Sequence, residues 1–181
     1  DGAYLAKFLL DKEYKVFGTY RRLSTPNFWR LQYLGIFEQI ELLPVDLLDS
    51  YSIIESIKLA KPDEIYNLGA MSFVGASFKT PISTYITNGL SVAYICDIVS
   101  SVSTSTKIYQ ASTSEMFGKV REIPQNEMTP FHPRSPYGVS KMNAYWTVIN
   151  YREAYNVFGC NGILFNHESP LRGSEFVTKK I

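Results

Sequence analysis

The sequence has few cysteines, little net charge and no long apolar run, and each shortage argues against a class of protein. Its two cysteines, Cys96 and Cys160, lie in apolar stretches without CxxC spacing, which predicts buried free thiols in a reducing compartment. A formal net charge of +1 argues against nucleic acid as a partner. No apolar run approaches the roughly 20 residues of a membrane helix. We therefore expect a cytoplasmic protein that binds neither nucleic acid nor membrane.

The 181 residues, 45% of them hydrophobic, are enough for one domain with a sizeable core. Short β-rich runs alternate with helical patterns, which indicates βαβ units and a parallel α/β sheet. Strands are predicted over residues 14–20, 39–45, 64–68, 107–112 and 162–166. Helices are predicted near residues 4–9, within 26–35, and over about 52–60, 82–102 and 135–155. Ser52 and Glu55 have capping-box spacing, and Ser135 and Pro136 are the expected N-cap and first residue of the last helix.

The two ends of the pattern are unusual for a parallel sheet. The first residue already lies at the start of a helix, and too few residues follow the last predicted strand to form a substrate-binding domain. A central parallel strand is costly to omit, because its neighbours would expose unpaired backbone groups. We therefore expect the chain to be a fragment of a longer protein.

Tyr137 and Lys141 are four positions apart on a predicted helix, so their side chains lie on one face about one turn apart. A free tyrosine, with a pKa of about 10, is a poor base at neutral pH, and a neighbouring ammonium favours its phenolate. The pair is therefore a candidate general base with its activating lysine. A YxxxK spacing by itself also arises by chance.

Polar side chains follow the strand predicted over residues 107–112. They are Ser112, Thr113, Ser114 and Glu115. In doubly wound sheets, ligands bind outside the carboxyl ends of the strands, where this run lies. Glu115 is a candidate base, whereas Thr113 can only donate or accept a hydrogen bond. The alternative is an ordinary solvated turn.

Two further groups suggest a cofactor. Arg21 and Arg22 directly follow the strand predicted over residues 14–20, where arginine suits the 2′-phosphate of NADP and an acidic residue would suit NAD. The alternative is two solvated arginines. Asp46, at the end of the next strand, could reach the adenine or cap a turn.

Six stretches together closely resemble the GDP-mannose 4,6-dehydratases, a family of extended short-chain dehydrogenases/reductases. They are DGAYLAKFLL (1–10), GTYRR (18–22), EIYNLGAMSFVGAS (64–77), YQASTSEMFGK (109–119), PRSPYGVSK (133–141) and GILFNHESPLRG (162–173). The resemblance implies that residues 1–181 form an NADP-binding, doubly wound Rossmann-type domain. It also implies that this domain lacks its first strand, most of the glycine loop and the C-terminal substrate domain.

The resemblance also implies a set of cofactor-binding residues. The end of the glycine loop is matched by Asp1 and Gly2, and the segment that binds the NADP phosphate is matched by Arg21, Arg22 and Ser24. The adenine contact is matched by Asp46 and Leu47, and a loop along the cofactor by Leu68, Gly69, Ala70 and Ser72. Further cofactor contacts are matched by Lys141, His167 and Arg172. Without the family, His167 would be interpreted as a structural histidine at a strand end. Leu171 departs from the family, whose members often have arginine there.

The implied reaction is the dehydration of GDP-mannose to GDP-4-keto-6-deoxymannose. Tyr137 would take the C4 hydroxyl proton while hydride passes to NADP, and Lys141 would lower the tyrosine pKa and hold the nicotinamide ribose. Glu115 would take the C5 proton, water would leave C6, and hydride would return there. Thr113, or less favourably Ser114, would bind the C4 oxygen. The family implies a homodimer or homotetramer.

Two alternatives remain at this point. A related 4-keto-reductase or 4-epimerase would share the Tyr137–Lys141 pair but would need no carboxylate base at the position of Glu115. A non-catalytic cofactor-binding module would need none of the three.

Overall fold

The predicted alternation of strands and helices is confirmed in the computed structural model, which describes residues 1–174, 176 and 178. The strands are β1 (Phe17–Tyr20), β2 (Glu41–Pro44), β3 (Glu64–Asn67), β4 (Lys107–Thr113) and β5 (Gly159–Leu164). The helices are α1 (Gly2–Leu10), α2 (Trp29–Tyr33), α3 (Ser50–Ala60), α4 (Val74–Ser77), α5 (Pro81–Tyr85), α6 (Ser91–Val102) and α7 (Pro136–Ala154). A π-helical turn, Ile86–Leu90, joins α5 to α6, and short 3₁₀ turns span Phe37–Gln39 and Ser114–Met116.

All strand pairs are parallel and fall into two sheets. β1 pairs with β2, and the second sheet has the order β3-β4-β5. Asn67 lies opposite Gln110, and Thr113 lies opposite Leu164. No hydrogen-bonded strand joins the two sheets within the described ranges. Because parallel strands share a direction, the carboxyl ends of β3, β4 and β5 meet at one edge, and the candidate catalytic residues lie there.

The core covers one face of the three-stranded sheet. Helices α3, α6 and α7 contribute apolar side chains at helical spacing, and β4 contributes Ile108. The buried members from these elements are Ile53, Ile57, Val92, Ile95, Cys96, Ile98, Val99, Ile108, Ala144 and Val148. This packing holds α7 against β4 and so positions the side chains at the start of α7.

The predicted start of α7 is confirmed, whereas that of α3 is wrong. Ser135 caps α7, since its hydroxyl oxygen accepts from the Gly138 N–H at 3.0 Å. The N-cap of α3 is Asp49, whose carboxylate accepts from the Tyr51 N–H at 3.0 Å. Ser52 lies inside the helix, where its hydroxyl donates to the Asp49 carbonyl at 2.9 Å. The Asp49 carboxylate, three residues before Ser52, is thus the group that satisfies the helix N-terminus.

Several predicted strand ends are also wrong. β1 begins at Phe17 rather than residue 14, because the Tyr14 N–H donates to the Leu9 carbonyl and closes the end of α1. β2 begins at Glu41, because a 3₁₀ turn occupies Phe37–Gln39. β5 spans Gly159–Leu164 instead of 162–166, so its ladder with β4 begins and ends earlier than predicted. The helix predicted over 82–102 is confirmed in extent, with the π turn inside it.

The two cysteines differ in exposure. Cys96 is buried as predicted, and burial raises the pKa of its thiol to about 12. Cys160 is exposed, so the prediction of a buried thiol is wrong there. In register with Tyr109 and Tyr66, it points to the sheet face opposite the helical core, because side chains alternate along a strand.

Candidate functional site

The first turn of α7 lies directly against the turn that follows β4. A Cβ atom on Gly138 would be 2.8 Å from the Glu115 carbonyl oxygen, a distance that only glycine permits. The Thr113 hydroxyl caps the same 3₁₀ turn by accepting from the Glu115 N–H at 3.3 Å. Glycine at position 138 is therefore what lets the residues next to Tyr137 approach the hydroxyl and carboxyl residues of the sheet edge.

Tyr137 is buried at this junction, and four effects act on the pKa of its phenol. Burial raises the pKa most strongly, a hydrogen bond with Thr113 lowers it, the Glu115 carboxylate raises it and Arg172 lowers it. The Thr113 hydroxyl is therefore the hydrogen-bond partner of the phenol, and the charges of Glu115 and Arg172 act on it with opposite signs. Glu115 is exposed, which leaves its carboxylate open to a bound molecule.

Lys141 is buried one helical turn further on, and only 3% of the residue is exposed. Its ammonium donates to the Ala111 carbonyl oxygen in β4 at 2.8 Å. Burial lowers the pKa of this lysine to about 8. Among the described residues no ion pair involves Lys141. It is thus a charged group at neutral pH that can lose its proton within a small rise in pH.

Asn88 is a site residue that sequence reasoning missed. From the π turn, its side-chain amide donates to the Met71 carbonyl at 3.1 Å and to the Ser140 hydroxyl at 3.2 Å, and it accepts from the Met71 N–H at 2.8 Å. It therefore ties the loop after β3 to α7. An asparagine inside an apolar helical pattern is a weak signal for such a role, and the π turn that aims it has no clear sequence mark.

Several predicted cofactor residues line one pocket at the carboxyl ends of the strands. Asp1, Ser72, His167 and Arg172 share this pocket of about 210 Å³. The Arg172 guanidinium carbon lies 3.8 Å from the centre of the Phe176 ring. Its buried Nε makes no hydrogen bond in the described part of the chain but lies 3.4 Å from a Glu168 carboxylate oxygen, an ion pair. The other guanidinium N–H groups of Arg172 are donors that suit an anion.

His167 links the two ends of the pocket. Its Nε2 lies 2.9 Å from an Asp1 carboxylate oxygen, and its Nδ1 lies 2.8 Å from the Phe165 carbonyl oxygen. Both neighbours are acceptors, so each contact needs an N–H on the ring nitrogen that faces it. These contacts fit the structural interpretation of His167, which also lines the pocket.

Arg30 is a second residue that sequence reasoning missed. Its Nε donates to the Leu171 carbonyl at 3.0 Å, and its guanidinium carbon lies 4.5 Å from the centre of the Trp29 ring. It lines the same pocket as Arg172. The sequence shows an arginine in the segment that forms α2, but no pattern links it to a residue so far along the chain.

The other predicted cofactor residues lie outside this pocket. Arg21, Arg22 and Ser24 are exposed in the loop after β1. The exposed Asp46 carboxylate accepts from the Leu48 N–H at 3.0 Å, so it caps a turn, which was the alternative to an adenine contact.

Two hydrophobic contacts join the loop after β3 to neighbouring segments. Leu47 packs on Gly69, because a Cβ atom added to Gly69 would lie 2.8 Å from the Leu47 Cδ1. Leu68 lies 3.9 Å from the Cβ position of Gly2 and lines a second cavity of about 220 Å³ with Asp1 and His167. Ala70 is half-buried in the same loop.

The described residues include neither a metal-binding cluster nor a membrane-spanning helix. No group of three or more His, Cys, Asp or Glu side chains could hold a metal ion in these ranges. None of the helices in the same ranges is long and apolar enough to cross a membrane.

Comparison with known proteins identifies relatives of the whole chain. The sequence model of a family described as GDP-mannose 4,6 dehydratase matches residues 1–181. The chain is 51% identical to the GDP-mannose 4,6 dehydratase of Homo sapiens, covering 100% of this chain and 51% of the human protein. It is 48% identical to the GDP-mannose 4,6-dehydratase of Yersinia enterocolitica, covering 100% of this chain and 50% of that protein. The chain therefore spans about half the length of the curated relatives it matches.

A solved structure agrees on the fold. DesIV, a dTDP-glucose 4,6-dehydratase from Streptomyces venezuelae solved with NAD and TYD bound, has a TM-score of 0.87 to this chain. The match covers 99% of this chain and 56% of that chain at 18% identity. This likeness supports the predicted Rossmann-type fold.

Proposed function

Because the chain belongs to the GDP-mannose 4,6-dehydratase family, we propose that its protein dehydrates GDP-mannose to GDP-4-keto-6-deoxymannose with a bound NADP. Residues 1–181 are the NADP-binding part in this proposal. The observation that carries it is the exposed Glu115 carboxylate next to the buried Tyr137 phenol at one sheet edge. A 4-reductase or 4-epimerase needs the phenol but no second base. Assembly as a homodimer or homotetramer and a cytoplasmic location stay predictions.

The pocket residues fit a dinucleotide. Arg30 and Arg172 bring two guanidinium groups into one concave site, where the Arg172 Nε lies 3.4 Å from a Glu168 carboxylate oxygen. These groups suit the diphosphate, and the exposed Arg21 and Arg22 suit a 2′-phosphate. When bound, NADP would supply the hydride acceptor for C4 of the sugar and the hydride donor for C6.

Tyr137 is the proposed base for the C4 hydroxyl, and Thr113 the hydrogen-bond partner of the C4 oxygen. Ionisation of the phenol is easiest while Lys141 is an ammonium, because the two charges are opposite. Burial lowers the pKa of Lys141 to about 8. The value of kcat/KM should therefore fall as pH rises through about 8 and the lysine loses its charge.

Glu115 is the proposed base for the C5 proton, which the neighbouring C4 ketone makes acidic. The proton taken by Glu115 leaves with the C6 hydroxyl as water. When hydride returns to C6, the Tyr137 phenol returns to C5 the proton that it took from the C4 hydroxyl, so the step balances. The two bases act on adjacent carbons and must lie close together, although one is a buried phenol and the other an exposed carboxylate.

The activity test uses the full-length protein, GDP-mannose and tightly bound NADP without added reductant. The expected product has lost one water and carries a 4-ketone and a C6 methyl group. A C4-epimerised sugar of unchanged mass would instead identify an epimerase. If GDP-mannose stays unchanged, and an added 4-keto sugar is reduced when a reductant is supplied, the protein is a reductase.

Cofactor choice gives a separate prediction. Replacing both Arg21 and Arg22 with alanine should weaken NADP binding about tenfold or more and leave NAD binding nearly unchanged, since only NADP carries the 2′-phosphate. Titration calorimetry with the two cofactors measures this difference. Equal weakening of both would remove the assigned phosphate contact. Lys58→Ala, which removes another exposed cation on α3, is the matched control.

A further inference from the structure

Two buried amide side chains lie side by side beneath the site. Gln110 is 0% exposed and Asn67 is 7% exposed, and they are register partners in β4 and β3. The Asn67 side-chain amide donates to the Gln110 side-chain oxygen at 2.7 Å. Buried amides are costly unless they are paired, so a residue pair of this kind on the core face of a sheet calls for a specific role.

The side-chain NH₂ group of Gln110 connects this pair to the anchor of Lys141. Its Nε2 donates to the Ala111 carbonyl oxygen at 3.0 Å. The same oxygen accepts from the Lys141 ammonium at 2.8 Å. A carbonyl oxygen has two lone pairs, so Gln110 and Lys141 together use its full capacity.

We propose that Gln110, held by Asn67, is a positioning residue for Lys141. It fixes the carbonyl that anchors the ammonium, and thereby keeps the lysine one turn from Tyr137. The proposal rests on the function proposed above only in what the lysine does for the reaction. The placement of the ammonium itself does not depend on the substrate.

The charges around Lys141 make its carbonyl anchor important. Tyr137 lies on the same helix, and Glu115 and Arg172 act on that phenol from the turn after β4 and the loop after β5. Within the described ranges Lys141 has no ion pair, and burial is the cause of its lowered pKa. The Gln110 N–H points its positive end at the oxygen that Lys141 uses, which weakens that oxygen as an acceptor.

Removing the Gln110 amide should therefore raise the pKa of Lys141 by either of two routes. If the lysine stays in place, the Ala111 carbonyl becomes a better acceptor for its ammonium. If the lysine moves, the ammonium reaches a more solvated position. Either result also disturbs its alignment with Tyr137.

The test uses the full-length protein with Gln110→Met and Asn67→Leu together, so that neither amide is left unpaired. The Nζ resonance of ¹⁵N-labelled Lys141, assigned by its loss in Lys141→Met, reports ionisation without any turnover. We expect its titration midpoint to rise by about half a unit to one unit. The alkaline limb of kcat/KM should move in the same direction, and kcat should fall about tenfold with KM nearly unchanged.

A matched control separates positioning from stability. Thr106 is also fully buried in the segment that leads into β4, and its hydroxyl donates to the Pro62 carbonyl at 2.6 Å, far from Lys141 in sequence. Thr106→Val should lower the melting temperature but leave the Lys141 midpoint in place. A Lys141 midpoint that is unchanged in the double variant overturns the proposal, as does an equal shift in Thr106→Val.

A second variant keeps the test decisive if the double variant does not fold. Gln110→Glu conserves length and places a carboxyl group within roughly 6 Å of the ammonium, since both groups meet at one oxygen. It should raise the Lys141 midpoint by more than about one unit. An unshifted midpoint would overturn the proposal. Failure of wild type to dehydrate GDP-mannose would instead overturn the proposed function, and the Lys141 titration would still decide the positioning role.

Discussion

At the scale of single residues, burial acts in opposite directions on the two groups of the Tyr137–Lys141 pair. It raises the pKa of the phenol and lowers the pKa of the lysine to about 8. Each shift disfavours the charged form that catalysis needs, and the two charges offset this only when they form together. Activity in such a pair depends on short distances rather than on either residue alone.

Glu115→Gln should stop the reaction at its second step. The amide cannot take the C5 proton, so kcat should fall about 100- to 10,000-fold, while NADP binding stays within about twofold. Exchange of the C5 hydrogen with deuterated water, followed by NMR, measures the step directly. Glu127→Gln, at an exposed position in the segment before α7, is the control for loss of a carboxylate. Persistent exchange in the Glu115 variant would assign the base elsewhere.

Lys141→Met should stabilise the fold at neutral pH although it removes activity. A lysine with a pKa of about 8 when folded and 10.5 as its ordinary value binds fewer protons folded than unfolded between these values. Wild-type stability therefore rises with pH across that window, and the cost of the ammonium is fully present below pH 8. We expect the variant to gain about 1–3 kcal/mol at pH 7 and to lose this advantage above pH 10.

Thermal or denaturant unfolding at several pH values measures the effect. Lys107→Met is its control, because that ammonium is exposed and lies 3.7 Å from Glu64. The control should change stability by less than about 1 kcal/mol at either pH. A lysine variant less stable than wild type at pH 7 would contradict the burial argument.

At the scale of elements, the approach of α7 to the end of β4 determines the site. The helix was predictable because Ser135, Pro136 and the following pattern mark its start, and the structure confirms that start. The contact of α7 with the turn at Glu115 was not predictable from the sequence, because a glycine in a helix has several possible explanations. The missing Cβ of Gly138 matters only because a carbonyl oxygen lies 2.8 Å from its place.

Gly138→Ala should push the first turn of α7 away from the sheet edge. The new methyl group meets a backbone oxygen, which cannot rotate away, so we expect a loss of about 1–3 kcal/mol in stability. A kcat decrease of about tenfold or more should accompany it, because Tyr137 moves with the turn. Val139→Ala changes an exposed neighbour on the same helix and should alter both by little. Unchanged kcat in Gly138→Ala would show that the close approach is not required.

At the scale of the whole molecule, segments far apart in sequence form the pocket. Arg30, on α2, donates to the Leu171 carbonyl in the loop after β5 at 3.0 Å. Asp1 and His167 make a second link, at 2.9 Å, between the start of α1 and the segment after β5. The pocket therefore depends on how the two sheets are held relative to each other.

Arg30→Met should weaken NADP binding about tenfold, by removing both a positive charge and the link between α2 and the loop after β5. Fluorescence or calorimetric titration with NADP measures the change. Arg152→Met is the matched control, because Arg152 also donates to a backbone carbonyl, that of Gly159 at 3.2 Å, but away from the pocket. Equal NADP affinity in Arg30→Met and wild type would exclude a role for Arg30 in binding.

The sequence alone determined the fold class, the order of the elements and the identity of the residues at the sheet edge. Hydrophobic periodicity, the Ser135 cap and the stretches shared with the family can be recognised from the sequence, because each depends only on neighbouring residues or on resemblance. Only the tertiary structure decided which side chains meet. Three sets of contacts join segments far apart in sequence. They are the hydrogen bonds that run from Asn67 through Gln110 and the Ala111 carbonyl to Lys141, the bonds of Asn88, and the Arg30–Leu171 bond. Such contacts follow from strand register and helix packing, which no local pattern encodes.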